Sequence, residues 1–212
     1  MQILSHRGLW RTPSEKNSIV AFSRSFSQGF GCETDIRDFN GQLVISHDIP
    51  QQSCLLLCDF LQLHARINSQ LPLALNIKSD GLAGEIRQLL RFFKTENYFC
   101  FDMSVPDMQD YLATGLQVYA RISEFETESA LLSKVQGIWL DSFLSEQCDL
   151  LQLEKFLQLG LPVCCVSPEL HRRQNDIYWQ QLLRFTAGFP STDGLMLCTD
   201  QPEEAREAWN DQ

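Results

Sequence analysis

Gln2-Ile3-Leu4-Ser5-His6-Arg7-Gly8 is a short apolar run ending in a histidine, a cation and a glycine, and Gly31-Cys32-Glu33-Thr34-Asp35-Ile36 repeats the scheme with acids. Both read as strands with polar residues gathered toward the C-terminal end. Working outward, strands are expected at 2–5, 31–36, 73–78, 98–102, 117–121, 137–140, 162–167 and 194–197. Segments of helical period lie between them, at 18–28, 55–67, 82–94, 106–113, 126–133, 146–159, 177–185 and 202–209. Eight strand–helix pairs in alternation predict an α/β protein with a parallel sheet, a compact (β/α)8 TIM barrel. At 212 residues the chain suits a single domain at the lower end of that fold's size range. Asn40-Gly41 before 42–45 reads as a hairpin that carries His47 back over the mouth. Ser18 is placed to cap the first helix, and Gly29 and Gly160 follow the first and sixth.

In such a barrel the chemistry sits at the C-terminal ends of the strands, and the polar residues sort that way. His6 follows the first strand, and Glu33 and Asp35 end the second. Asn76 and Lys78 end the third, with Asp102, Arg121 and Asp141 after the next three and Glu169 with His171 after the seventh. Glu33 and Asp35 stand two apart, so an extended strand points both to one face, about 7 Å apart along the backbone. Two acids on one edge repel unless a cation joins them. Carboxylate oxygens with no cysteine among them favour Mg²⁺, Ca²⁺ or Mn²⁺ over Zn²⁺. Ser46-His47-Asp48 adds a second histidine with its own acid. Imidazole titrates near neutrality, so His6 and His47 make a sufficient acid–base pair.

A net charge of −10 argues against a nucleic-acid-binding surface and against docking on anionic lipid through a basic patch. A substrate anion must then be met by local positive groups such as Arg7 and Lys78. No apolar run of about 18 residues occurs, and Gln2-Ile3-Leu4 leads straight to His6 without a leader-like stretch, so stable membrane insertion is not expected and a cytoplasmic location is. The eight cysteines lie in apolar stretches with no C-x-x-C pair, and read as buried free thiols of a reducing compartment. His64 falls inside a helix and reads as an ordinary packing residue. His171, in a basic loop, fits a grip on a second phosphate or head group equally with a solvated loop. Arg121 fits either an anionic part of a substrate or an ion pair with Glu124 and Asp141. Trp10, Phe39, Trp139 and Phe143 read as core or rim packing.

The order His6-Arg7-Gly8, an Asn17-Ser18 helix start, Glu33-x-Asp35 and His47-Asp48 resembles the glycerophosphodiester phosphodiesterase family, relatives of the phosphatidylinositol-specific phospholipases C. The resemblance is specific at the head of the chain and looser beyond. It implies a metal-dependent hydrolase of a small phosphodiester, with catalytic His6 and His47, Arg7 and Lys78 on the phosphate, and Glu33, Asp35 and Asn76 on a divalent ion such as Mg²⁺ or Ca²⁺. Asp102, Arg121, Asp141, Glu169 and His171 are possible further contacts to substrate or metal. In the scheme the resemblance implies, a substrate hydroxyl attacks first and gives a cyclic phosphate that water then opens. The chain departs from the family where Asn76-Ile77-Lys78 replaces an E-x-K arrangement, which predicts a weaker grip on the ion, with Asp102 a candidate to compensate. Pro13-Ser14-Glu15-Lys16-Asn17-Ser18 is longer than the family's helix start. The stretch from His47 to Leu73 leaves little room for the helical insertion many relatives use to recognise glycerol. A lyase that stops at the cyclic phosphate and a non-catalytic phospholigand-binding barrel are the alternatives.

Overall fold

The computed structural model describes residues 1–51, 54–189 and 191–210. The chain forms two compact units, Ser5–Val118, and Met1–Leu4 with Tyr119–Gln212. β1 (Gln2–His6) opens the chain. In the first unit follow α1 (Ile19–Ser27), β2 (Gly31–Phe39), β3 (Gln42–Ile45), β4 (Leu55–Leu56), α2 (Leu57–Asn68), β5 (Leu73–Ile77), α3 (Ala83–Phe92), β6 (Tyr98–Phe101) and α4 (Val105–Thr114). β2 pairs in parallel with β5, and β5 with β6, in a register that sets Asp35 beside Asn76 and Leu73 beside Tyr98. β5 is buried along its whole length, as expected of a parallel strand covered on both faces.

The hairpin forms as expected. Asn40 and Gly41 both take positive φ, 50° and 74°, the signature of a two-residue turn whose twist matches its strands. β3 then runs antiparallel along β2, from Phe39↔Gln42 back to Ile36↔Ile45, and Ser46 N–H donates to the Asp35 carbonyl at 3.0 Å. Leu55 and Leu56, expected to open a helix, instead pair with Ile45 and Val44 as β4, and α2 starts two residues later. Ser18 caps α1, its hydroxyl accepting from Ala21 N–H. Between α1 and α2 the Phe22 and Phe60 rings meet edge to face at 4.6 Å, and His64 packs against Phe26 at 5.1 Å. His64 is fully buried, with Nε2 2.9 Å from the Leu71 carbonyl, and burial pushes its pKa down, so it is the neutral packing residue expected. Burying each of the three phenylalanines contributes about 1.5–3 kcal/mol.

The second unit contains β7 (Tyr119–Ile122), β8 (Gly137–Leu140), α5 (Leu150–Gln158), β9 (Val163–Val166), α6 (Asp176–Gly188), β10 (Leu195–Thr199) and α7 (Pro202–Asn210). β7, β8, β9 and β10 pair in that order, all in parallel. The helix expected at 126–133 does not form, and only a single 3-10 turn appears at Leu132–Lys134. Serine hydroxyls offer the backbone another partner there: Ser123 accepts from the N–H groups of Phe125 and Glu126, and Ser129 from Leu131. The same competition shortens α5, expected from 146. Ser145 accepts from Gln147 N–H, and the helix waits for Asp149, whose carboxylate caps Gln152 N–H at 3.0 Å. The eight cysteines are free, six of them buried. No helix among the described residues is long and apolar enough to cross a membrane.

Candidate active site

Strand ends and the loops just past them build the site in Ser5–Val118. Arg7 and Gly8 follow β1 in the left-handed region, at φ 59° and 85°, so the chain turns sharply. Glycine is required at the second position, because a Cβ there would stand 2.8 Å from Ala21 Cβ and 2.9 Å from the Ala21 carbonyl carbon. Arg7 N–H donates to the Glu33 carbonyl at 2.9 Å, which locks this turn to β2. The Arg7 side chain reaches Asp35, with Nε 2.8 Å from Oδ2, as a charge contact whose N–H is not aligned as a hydrogen bond.

Asn17, also left-handed at φ 60°, holds the other side of that oxygen. Its amide donates to Asp35 Oδ2 at 2.9 Å, while its own oxygen accepts from Thr34 Oγ1 at 2.9 Å. Asn17 was expected only as part of a helix start. The signal was there in the Asn-Ser pair, since asparagine is among the few residues at ease at positive φ before a serine cap.

Glu33 and Asp35 are buried to 1% and 0% exposure. Burial pushes the Glu33 pKa up, the Asp35 charge adds to that, and His6, Arg7 and Lys78 pull against it. His6 Nε2 lies 3.8 Å from Glu33 Oε2, and the Asn76 amide donates to Glu33 Oε1 at 3.2 Å. Lys78 stands one residue past β5, with Nζ 3.7 Å from Asp35 Oδ1 and 3.0 Å from Asp102 Oδ2. One oxygen from each of the three expected ligand residues is left over. Glu33 Oε2, Asp35 Oδ1 and Asn76 Oδ1 are buried and accept no hydrogen bond. Among the described residues no three His, Cys, Asp or Glu side chains converge as a metal cluster, so the third oxygen of this set is an amide.

His47 lies one residue beyond the Ser46–Asp35 bond, where Arg37 Nε donates to its carbonyl at 3.1 Å. Its side chain is 49% exposed, and Nδ1 is 2.8 Å from Asp48 Oδ1. That contact holds the Asp48 pKa below the usual carboxylate range, with weaker help from Arg7 and Arg37, so the Arg7 charge reaches this loop. A carboxylate on Nδ1 fixes the tautomer and leaves Nε2 for proton transfer. The structure thus gathers His6, Arg7, Glu33, Asp35, Asn76, Lys78 and Asp102 in one contact network, and returns His47 to the level of Asp35.

Four expected residues belong to the other unit. Arg121 pairs with Glu126, its Nε 3.2 Å from Oε2, and lies over the Phe143 ring at 5.5 Å. Glu124, an expected partner of Arg121, accepts from Ser142 Oγ, Phe143 N–H and Leu144 N–H. Burial alone would raise its pKa, but these bonds together outweigh burial and hold it at about 2. His171 Nε2 meets Asp141 Oδ1 at 2.7 Å. Glu169 spends both oxygens locally, on Ser167 Oγ, Thr199 Oγ1 and Asp200 N–H, tying the ends of β9 and β10 together.

No family model matches the chain, and no curated protein matches it in sequence. Solved structures do match in fold. A glycerophosphodiester phosphodiesterase from Agrobacterium tumefaciens superposes with a TM-score of 0.73 at 15% identity, over 99% of both chains. One from Thermotoga maritima gives 0.66 at 15% identity, over 97% of this chain and 96% of that one. An Oleispira antarctica phosphodiesterase, in complex with the product sn-glycerol-3-phosphate, gives 0.64 at 14% identity over 99% and 97%. The likeness spans nearly the whole chain and establishes the fold as theirs, the (β/α)8 TIM-barrel class expected from the strand–helix alternation.

Proposed function

We propose that this chain is a phosphoric diester hydrolase that uses a divalent cation, Mg²⁺ or Ca²⁺, to hydrolyse a small glycerophosphodiester or a related phosphodiester-linked head group. The reading is carried by the three buried oxygens without hydrogen bonds, Glu33 Oε2, Asp35 Oδ1 and Asn76 Oδ1. A buried acceptor left unsatisfied costs about 1–3 kcal/mol, so three on neighbouring strands ask for a ligand that binds them together. An all-oxygen set suits a hard cation. When bound there, the ion supplies Lewis-acid neutralisation of a phosphoryl oxygen.

The remaining work falls to the chain's own side chains. Arg7 and Lys78, both held against Asp35, offset the charge that builds on the phosphoryl group. Asp102 holds Lys78 in place through Oδ2, 3.0 Å from Nζ. One imidazole of the His6 and His47 pair takes a proton from the attacking hydroxyl, and the other protonates the leaving alkoxide. The fold likeness to glycerophosphodiester phosphodiesterases supports this reaction class, and the product complex of the Oleispira enzyme supports a small glycerol-based substrate. Eight free cysteines support a reducing, cytoplasmic setting.

The test is release of alcohol from a panel of phosphodiesters. Chelator, His6→Ala and His47→Ala are each expected to lower kcat by about 10²–10⁴-fold. Turnover that survives all three refutes the mechanism, and binding without turnover refutes the enzyme. Phosphorus NMR separates a hydrolase, which ends at the monoester, from a lyase that stops at the cyclic phosphate.

A further inference from the structure

A cavity lies in Ser5–Val118, away from the candidate catalytic residues. It has a volume of about 300 Å³ and is lined by Arg87, Leu90, Arg91 and Lys94 from α3 and its exit, by Thr95 and Glu96, and by Tyr98 and Gly115. Tyr98 starts β6 opposite Leu73, whereas Asn76 and Lys78 lie at the other end of β5. The two sites are therefore separated by about the length of a strand, roughly 10 Å or more.

Three cations facing one cavity are out of keeping with a chain of net charge −10. Arg87 and Arg91 stand one helical turn apart, where like charges repel. Among the described residues none of the three side chains makes a hydrogen bond or an ion pair, and Glu96, the acid in the wall, pairs with none of them. Burial raises the pKa of the Tyr98 phenol and Cys100 adds to that, while a hydrogen bond from the Gln117 backbone and, more weakly, the charges of Arg87 and Arg91 oppose it. Thr95, at 5% exposure, has a hydroxyl without a partner. Lys94 is held at φ 54°, a conformation unfavourable for lysine, in the turn that ends α3. Basic residues near a helix C-terminus also complement its dipole, but that role asks for neither a cavity nor a half-buried phenol.

We propose that this cavity binds a phosphomonoester group, with Arg87, Arg91 and Lys94 on the phosphate oxygens and the Tyr98 hydroxyl as a further donor. Three positive charges against the one of Glu96 suit a dianion, and the volume fits a small ligand, at the low end of ordinary binding sites. A free metabolite and a lipid headgroup present the same chemistry, and Phe92, 77% exposed on the last turn of α3, is placed to touch a lipid surface.

Amide NMR of Thr95, Tyr98 and Gly115 provides the test, with inorganic phosphate and glycerol 3-phosphate as soluble probes and phosphatidic acid vesicles as the lipid probe. Saturable shifts are expected, weakened by about tenfold or more in Arg87→Gln/Arg91→Gln, since each charge-assisted bond is worth about that much. Hydrolysis of phosphodiesters is expected to stay at the wild-type rate. Lys94→Gly, which relieves the positive φ, should fold at least as well as the wild type and still bind more weakly. Binding to the soluble probes identifies a metabolite site, and binding to phosphatidic acid but not phosphatidylcholine vesicles a lipid site. Shifts that never saturate, that chloride reproduces at equal ionic strength, or that persist in both variants overturn the proposal and leave a solvated helix end.

Discussion

Asn76→Asp separates a cation site from a merely polar strand end, because it harms one and improves the other. The amide donates to Glu33 Oε1 at 3.2 Å from a residue only 8% exposed, and Asp35 is its cross-strand neighbour. A carboxylate in its place removes a hydrogen bond to a charged group, worth about 1.5–3 kcal/mol. It also sets like charges at that spacing, a repulsion of about 5 kcal/mol at an effective dielectric of about 20. Arg7 and Lys78 beside Asp35 offset much of the second effect, so a net loss of about 2–3 kcal/mol is expected in chelator. For a chain of this size that lowers Tm by about 4–12 °C.

With Mg²⁺ or Ca²⁺ supplied the sign reverses, since the new carboxylate turns from a repelled neighbour into a ligand. Saturation to about 100 times Kd returns about 2.7 kcal/mol. Melting curves with chelator and with a cation series, for the wild type, Asn76→Asp and Asn76→Leu, make the measurement. The aspartate variant should melt lowest in chelator and gain most from the cation, and the leucine variant should gain least. Equal melting in chelator, or a cation response that ignores residue 76, would refute the reasoning that these oxygens form one site.

Gly8→Ala should unfold earlier by about 2–4 kcal/mol in denaturant titration and lose activity with it, because its Cβ meets the backbone of Ala21 in the turn that aims Arg7; a variant as stable as the wild type would show that this turn yields freely. Glu124, held at about 2 by its hydrogen bonds against the opposing effect of burial, contributes stability that is present above the ordinary glutamate range near 4.5 and is lost as pH falls through about 2. Glu124→Gln should therefore lower the urea midpoint at neutral pH and flatten its fall across that acid window, and parallel curves would count against the assignment.

The fold was legible because the apolar runs of a parallel sheet are nearly continuous, and every expected strand formed within two residues of its expected bounds except the second, which runs three residues further, to Phe39. Helices with an apolar stripe and a good cap, such as α1 behind Ser18, were equally legible. The stretch 126–133 misled because its spacing is helical while its serines bind the backbone locally, a competition that periodicity does not register. In the candidate site the residue types were readable, but their division of labour was not. Asp102, just past β6, reads in sequence as a further contact to metal or substrate, and only the structure shows its Oδ2 3.0 Å from Lys78 Nζ. Glu169 at the end of β9 looked like a substrate contact, whereas its oxygens bind Ser167, Thr199 and Asp200. Asn17 shares Asp35 with Arg7 only because two left-handed residues bring the loops together, and backbone handedness at a non-glycine residue leaves little trace in sequence.

In the proposed cation site, the amide at position 76 would also set the charge once an ion is bound. Histidines aside, and with the three acids counted as carboxylates, Glu33, Asp35 and Asp102 set three negative charges against the two positive ones of Arg7 and Lys78. A divalent ion then brings the balance to one positive charge, which a phosphodiester monoanion neutralises. An acid at position 76 would have left no surplus. The monoester product carries up to one charge more than the substrate, so the surplus favours product over substrate as product sheds its second proton. Inhibition by phosphomonoester product should therefore strengthen as pH rises through about 6, the second ionisation of a phosphate ester. It should be weaker in Asn76→Asp at saturating cation. The measurement is the inhibition constant of the product against pH in both proteins. A constant that is flat with pH, or identical in the two, would mean that residue 76 does not set the charge the phosphate meets, and would remove the electrostatic reason for placing it among the cation's ligands.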